Sequence, residues 1–217
     1  MNNYDLERFE SLGDNCEFGF YLRSKGLENG SLFRWSLIKD HQDLLNLVTG
    51  DFVNFYQFDN LQPTWSNMLV DKDNGIIFHT DLYSSQIDNN WVFDDAENER
   101  KEKYLIEKNK INYLVKKFLD GLKSNKKIFV IKKNNNQIDM NVIALLANEL
   151  NRRGKAKILV VFQSDDSSQH GVIEHAGENV LISYIERFAE YNKADDISVA
   201  GWDKIVNNIL HALPSEI

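Results

Sequence analysis

Cysteine and proline are nearly absent: Cys16 is the only cysteine among 217 residues, and Pro63 and Pro214 are the only prolines. One thiol cannot close an internal disulfide. Nor is a covalent staple needed, because folding at this length buries roughly 70% of the surface that the unfolded chain exposes. The opening residues Met1-Asn2-Asn3-Tyr4-Asp5-Leu6-Glu7 lack the basic start and apolar centre of a secretory signal. With the lone thiol, this predicts a cytoplasmic protein. Long apolar runs are missing too, none approaching the roughly 20 residues that cross a bilayer. No Gly/Ser-rich linker or repeat marks a boundary, so residues 1–217 read as one domain. The glycine-rich phosphate loops Gly-x-Gly-x-x-Gly and Gly-x-x-x-x-Gly-Lys-Ser/Thr do not occur, so no cofactor is implied.

Positive charge is also in short supply. The 25 Lys and Arg residues stand against 33 Asp and Glu, a formal charge of -8, which argues against nucleic-acid partners, whose affinity comes from neutralised phosphates. The closest approach to a basic patch, Lys123, Lys126, Lys127, Lys132 and Lys133, flanks an apolar run where solvated lysines are expected. His170, Glu174 and His175 match no standard zinc spacing, and no metal is expected.

What is present is the composition of an ordinary globular protein, 42% hydrophobic and 27% charged. Asp14-Asn15-Cys16-Glu17 matches a capping box, and Gly26 suits a left-handed stop, so the first clear helix is expected between them with Cys16 at its second position. A second helix is expected from Asp40 to Gly50, with Leu44, Leu45, Leu47 and Val48 inward. Phe52-Val53-Asn54-Phe55-Tyr56 and Gly75-Ile76-Ile77-Phe78-His79 read as strands, and residues 83–100 as a long surface loop. Beyond them, a helical stripe from Ile111 to Leu122 leads to strand Ile128-Phe129-Val130-Ile131. A helix capped by Asp139 leads to strand Ile158-Leu159-Val160-Val161-Phe162, and Val180-Leu181-Ile182-Ser183-Tyr184 precedes a last helix bearing Trp202, Ile205, Val206 and Ile209. This alternation predicts an α/β domain with a mainly parallel sheet flanked by helices.

Cys16 is the residue with the clearest chemical potential. A thiol at a helix start meets unpaired N–H groups and the positive end of the helix dipole, both favouring thiolate. A cysteine nucleophile also needs a base and a group to orient it. Of the five histidines, His79 is favoured because it ends a strand and Asp81 follows two residues later, on the same side of an extended segment. His41 and His211 are expected in solvated helix ends, and His170 and His175 in a polar loop. The backbone N–H groups of Cys16 and Glu17 are the expected oxyanion donors. Against this stands the common case of a lone cysteine as a small buried hydrophobe.

The stretch Ser11-Leu12-Gly13-Asp14-Asn15-Cys16-Glu17-Phe18-Gly19, with Leu22-Arg23 and Leu32-Phe33-Arg34-Trp35-Ser36, resembles a bacterial family described as papain-like cysteine peptidases. Its members share a Ser-Leu-Gly-x-x-Cys signature, a Phe-Arg-Trp or Phe-Asp-Trp block, a histidine after an apolar strand and a later strand ending in a basic residue. Gly75-Ile76-Ile77-Phe78-His79 and Ile128-Phe129-Val130-Ile131-Lys132 look like the last two, so the resemblance spans residues 9–165. It implies a Cys16/His79 pair, with Asp81 as a possible orienting acid, in a hydrolase or acyl-transfer enzyme acting on a peptide, glycan or small molecule. A papain-like fold would be α+β with an antiparallel sheet; the helix–strand alternation here favours α/β instead.

A second reading makes Cys16 structural. Arg34 and Trp35 could then hold an anionic or planar ligand, together with Asp14, Asn15, Glu17 and Arg23. The ligand crevice would lie at the carboxyl ends of the parallel strands, including Asn134-Asn135-Asn136 and Gln163-Ser164-Asp165-Asp166. The implied function is a carbohydrate-binding or nucleotide-sugar transferase module in bacterial surface-polysaccharide assembly.

Overall fold

Strands that are apolar on both faces need cover on both, and the arrangement of the helices follows from that need. The computed structural model describes residues 3–123 and 126–213; Met1, Asn2 and Pro214 of the readings above lie outside them. The elements run α1 (Asn3–Leu6), β1 (Phe9–Ser11), α2 (Glu17–Ser24), β2 (Ser36–Ile38), α3 (His41–Thr49), β3 (Leu61–Trp65), β4 (Met68–Asp71), β5 (Ile76–His79), β6 (Ser84–Ile87), β7 (Asn90–Phe93) and α4 (Glu97–Lys123). They continue with β8 (Ile128–Lys132), α5 (Met140–Arg153), β9 (Lys157–Gln163), β10 (Glu174–His175), β11 (Val180–Ile185) and α6 (Val199–Ala212).

The main sheet has the order β1-β8-β9-β11-β10, with its first four strands parallel and β10 antiparallel at one edge. This is the α/β architecture with a mainly parallel sheet that the alternation predicts. Successive side chains serve opposite faces. Phe129, Ile131, Ile158, Val160 and Val180 join one core with α3, α4 and α5. Ile128, Val130, Leu159, Val161, Leu181 and Ile185 join the other with α2 and α6, where Trp202 is fully buried. No helix among the described residues is long and apolar enough to cross a membrane.

A second, antiparallel sheet of order β2-β5-β4-β3 continues from the end of β1, held by the Ile38 N–H donating to the Gly13 carbonyl at 3.2 Å. Its inner face, Ile38, Leu69, Ile76 and Phe78, adds to the core beneath α3 and α4. Pro63 lies in β3, on the edge of this sheet beside a register shift, where its missing N–H breaks no inner ladder.

Four local expectations need correction. Phe52 to Tyr56 is not a strand: Asp51, Phe52, Asn54 and Tyr56 all have φ between 54° and 62°, and the coil lets Phe52, Phe55 and Tyr56 all bury their rings. The buried Asp71 carboxylate fixes that coil by accepting from the Tyr56 N–H at 2.7 Å. Residues 83–100 are not a loop, because β6 and β7 form a hairpin closed by Asp88 and Asn89 with φ of 46° and 64°, before α4 begins. The capping box does not form: Cys16 is the N-cap of α2, and Asn15 Oδ1 rather than Asp14 takes the Glu17 N–H, at 3.1 Å. Lastly, His41 is buried and donates from Nε2 to the Leu12 carbonyl at 3.1 Å, instead of facing water. The left-handed stop at Gly26 (φ 81°) and the Asp40 and Asp139 caps are as expected.

Candidate functional site

Two sheets meet where β1 ends, and the candidate pair lies at their junction, Cys16 just beyond β1 and His79 at the end of β5. The turn Gly13-Asp14-Asn15 leaves the carboxyl end of β1 and delivers Cys16 to the start of α2. Gly19, one turn further along, lies against the Arg34–Trp35 segment; a Cβ there would stand 2.7 Å from the Arg34 carbonyl oxygen and 3.2 Å from the Trp35 ring. Only glycine lets α2 approach so closely. That approach draws in β2, and β2 pairs with β5, which ends in His79. As a result Cys16 Sγ and His79 Nε2 lie 3.9 Å apart across 63 residues of chain.

The two partners are unequally exposed. Cys16 is 7% exposed, while His79 is open to solvent. Burial pushes the Cys16 thiol up to about 11, and the Lys132 charge opposes that rise. Burial also holds the His79 imidazole below the usual histidine range. The pair therefore rests at neutral pH as thiol and neutral imidazole, so desolvation outweighs the thiolate-favouring effect expected at a helix start.

Asp81 is not the group that orients His79. It is exposed and shares no hydrogen bond with the imidazole; its N–H instead donates to Glu107 Oε1 at 2.6 Å. Glu107, on α4, fastens the chain just after His79, also accepting from Thr80 Oγ1 at 2.9 Å and Tyr56 Oη at 2.7 Å. Sequence reading missed it, because a glutamate in a long charged helix carries no sign of its role.

Beneath the Cys16 turn lies a buried charge cluster. Lys132 closes β8 on the face shared with Ile128 and Val130, and it is 0% exposed. Its Nζ lies 2.9 Å from Glu17 Oε2 and 3.4 Å from Asp14 Oδ1, both ionic contacts, and its hydrogen bond goes to Asn134 Oδ1. Glu17 Oε1 accepts from Trp202 Nε1 at 3.0 Å, and Asp14 Oδ2 from the Asn134 N–H at 3.2 Å. The expectation of a solvated Lys132 fails here. A lysine at the carboxyl end of a wholly apolar inner strand was the available signal.

The other predicted ligand residues divide. Asn15 is buried, and because its Oδ1 takes the Glu17 N–H, that N–H is not free to hold an oxyanion. The Cys16 N–H makes no hydrogen bond among the described residues and remains for that role. Arg34 is buried and turns its fork on its own chain, donating to the Leu27 and Asn29 carbonyls at 2.9 and 2.6 Å. Trp35 packs edge-on to Phe20 at 5.2 Å, and the half-exposed Arg23 guanidinium lies 4.3 Å from its ring centroid while pairing with Glu28.

The outer face of the antiparallel sheet carries His79 outward. Trp65, Met68 and His79 are cross-strand partners in one row, and Leu37, Val70 and Ile77 are half-buried on the same side of their strands. Trp65 is 60% exposed and lies against Trp91, ring centroids 5.3 Å apart. Compared with family models, curated proteins and solved structures, the chain matches none.

Proposed function

We propose that this protein is a cysteine-dependent hydrolase or acyl-transfer enzyme in which Cys16 attacks a carbonyl carbon and His79 moves the proton. The observation that carries the reading is the 3.9 Å approach of Sγ, at the start of α2, to Nε2, at the end of β5. Nucleophile and base within reach of each other is the geometry such chemistry needs, with some slack in the unliganded state.

Because both groups rest neutral, the reaction starts by general-base catalysis. With its proton on Nδ1, the imidazole accepts the thiol proton at Nε2 as sulfur bonds to the carbonyl carbon, and the carbonyl electron pair moves to oxygen. The Cys16 N–H is placed on the peptide that bears the nucleophile, and it stabilises that oxyanion. The oxyanion then collapses, the imidazolium returns its proton to the departing group, and a thioester remains on Cys16. Water or a second acceptor, deprotonated in turn by His79, releases the acyl group. Substrate reaches the pair across the outer face of the antiparallel sheet, where Met68, Ile77 and Trp65 offer apolar contact.

A second reading, recognition of a carbohydrate, is supported by the exposed Trp65 ring, which lies against the half-buried Trp91 in the cross-strand row that ends at His79; within the acyl-transfer reading a sugar would serve as acceptor.

The test is acylation by p-nitrophenyl acetate, located by peptide mass spectrometry. Acetyl on Cys16 in the wild type, none in Cys16→Ser, and acylation slowed about 10²- to 10⁴-fold in His79→Ala is the expected pattern. Equal turnover by wild type and Cys16→Ser would overturn it.

A further inference from the structure

Charge within the core needs a reason, since withdrawing an ion from water costs several kcal/mol even after relaxation. Lys132 could have been an apolar residue like Ile128 and Val130 on the same face of β8, yet a fully buried cation stands there. Its ionic partners flank the nucleophile in sequence: Asp14 two residues before Cys16 and Glu17 one after, at 3.4 and 2.9 Å. The charged and titratable groups around this turn are His79 from β5, His41 from α3, Lys39 after β2, Lys132 and Lys133 from the end of β8, Tyr191, whose Oη donates to the Asp14 carbonyl at 3.0 Å, and Asp14 and Glu17 themselves. Of these, Lys132 is the one whose charge acts on the thiol.

We infer that Lys132 is the counter-cation for the sulfur anion that forms at Cys16, held under the nucleophile by Asp14 and Glu17. This rests on the Cys16/His79 reading and adds an electrostatic component to it. Lys132 touches no substrate; it is a positioning residue that acts through its field, which is strong in a site closed to water. The two acids restrain that field and help keep the thiol protonated at rest. As the proton leaves for His79 and sulfur bonds to carbon, negative charge passes over the sulfur, and the lysine lowers the energy of that stage.

Removing charge on the two sides of the ion pair is expected to act on the thiol in opposite directions. The probe is iodoacetamide, from which sulfur displaces iodide while the thiol proton goes to His79 and then to water. Lys132→Met is expected to destabilise the sulfur anion and to slow alkylation at pH 8, by up to about tenfold for each unit by which the thiol's proton affinity rises. Glu17→Gln keeps an oxygen for Trp202 and removes the restraining charge, so it is expected to speed the reaction. Circular dichroism and thermal melting establish that each variant is folded. If Lys132→Met does not fold, the acceleration in folded Glu17→Gln carries the test alone. No acceleration in folded Glu17→Gln, or faster labelling in both variants as from a loosened helix, overturns the inference. Failure of p-nitrophenyl acetate to acylate Cys16 would remove the proposed function while leaving these opposed changes of rate to be read, so the two claims fail separately.

Discussion

Cys16 and His79 reach the same point from regions built in opposite ways. The parallel sheet supports the cysteine with buried charge: Lys132, Asp14 and Glu17 are closed off from water beneath α2, and each has a partner within the core. The antiparallel sheet presents the histidine at the end of its inner strand β5 with the side chain exposed, fastened through the backbone and, just beyond it, by Glu107. A nucleophile gains from enclosure, where fixed charges act strongly. A proton carrier must exchange with substrate and water, so exposure suits it. The difference teaches that the two partners should respond differently to mutation, the cysteine side through stability and thiol chemistry and the histidine side through proton transfer.

The largest expected break in that contrast is Lys132→Ala. It leaves two carboxylates buried without their cation, and a loss of about 3–5 kcal/mol in urea unfolding is expected. A smaller loss, under about 1 kcal/mol, would mean that water already reaches the cluster. Gly19→Ala comes next, because its methyl group would press on the Arg34 carbonyl; about 1–3 kcal/mol of destabilisation is expected, with acylation of Cys16 slowed in whatever remains folded. An unchanged melting temperature and rate would separate the approach of α2 from the formation of the pair.

The pH dependence of stability sharpens the same comparison. Burial lowers the proton affinity of both His41 and His79 in the folded chain. Below about pH 6.5, the ordinary histidine value, the unfolded chain binds more protons, so stability is full above that pH and falls as the pH drops toward the folded values. Each histidine contributes at most about 1.4 kcal/mol per pH unit. Chemical denaturation at pH 7 and 5 measures the loss, and His41→Asn should reduce it. The smallest effect belongs to Asp81→Asn, which is expected to leave acylation within about twofold because the carboxylate does not touch His79.

How much of this was legible follows from range. Strands β8, β9 and β11 and helices α3, α5 and α6 announce themselves through local periodicity and caps, so the parallel sheet could be read from the sequence. The coil at residues 51–56 could not. Its aromatic residues have strand propensity, but burial of three rings and the Asp71 contact override that preference. In the β6–β7 hairpin both faces are largely exposed, so no apolar alternation marks it and only the Asp88-Asn89 turn gives a hint. Cys16 and His79 were visible through their chemistry and local placement. Lys132, Glu107 and the constraint on Gly19 depend on contacts distant in sequence, and single residues give no sign of them.

The central claim is that a neutral thiol and a neutral imidazole act together, and the pH profile of Cys16 acylation by p-nitrophenyl acetate tests it most directly. In the wild type the rate should level off by about pH 7, once His79 is unprotonated, and remain flat through pH 9. In His79→Gln the plateau should vanish, the rate climbing about tenfold per pH unit toward the thiol ionisation near 11. Parallel profiles in the two proteins would contradict the account.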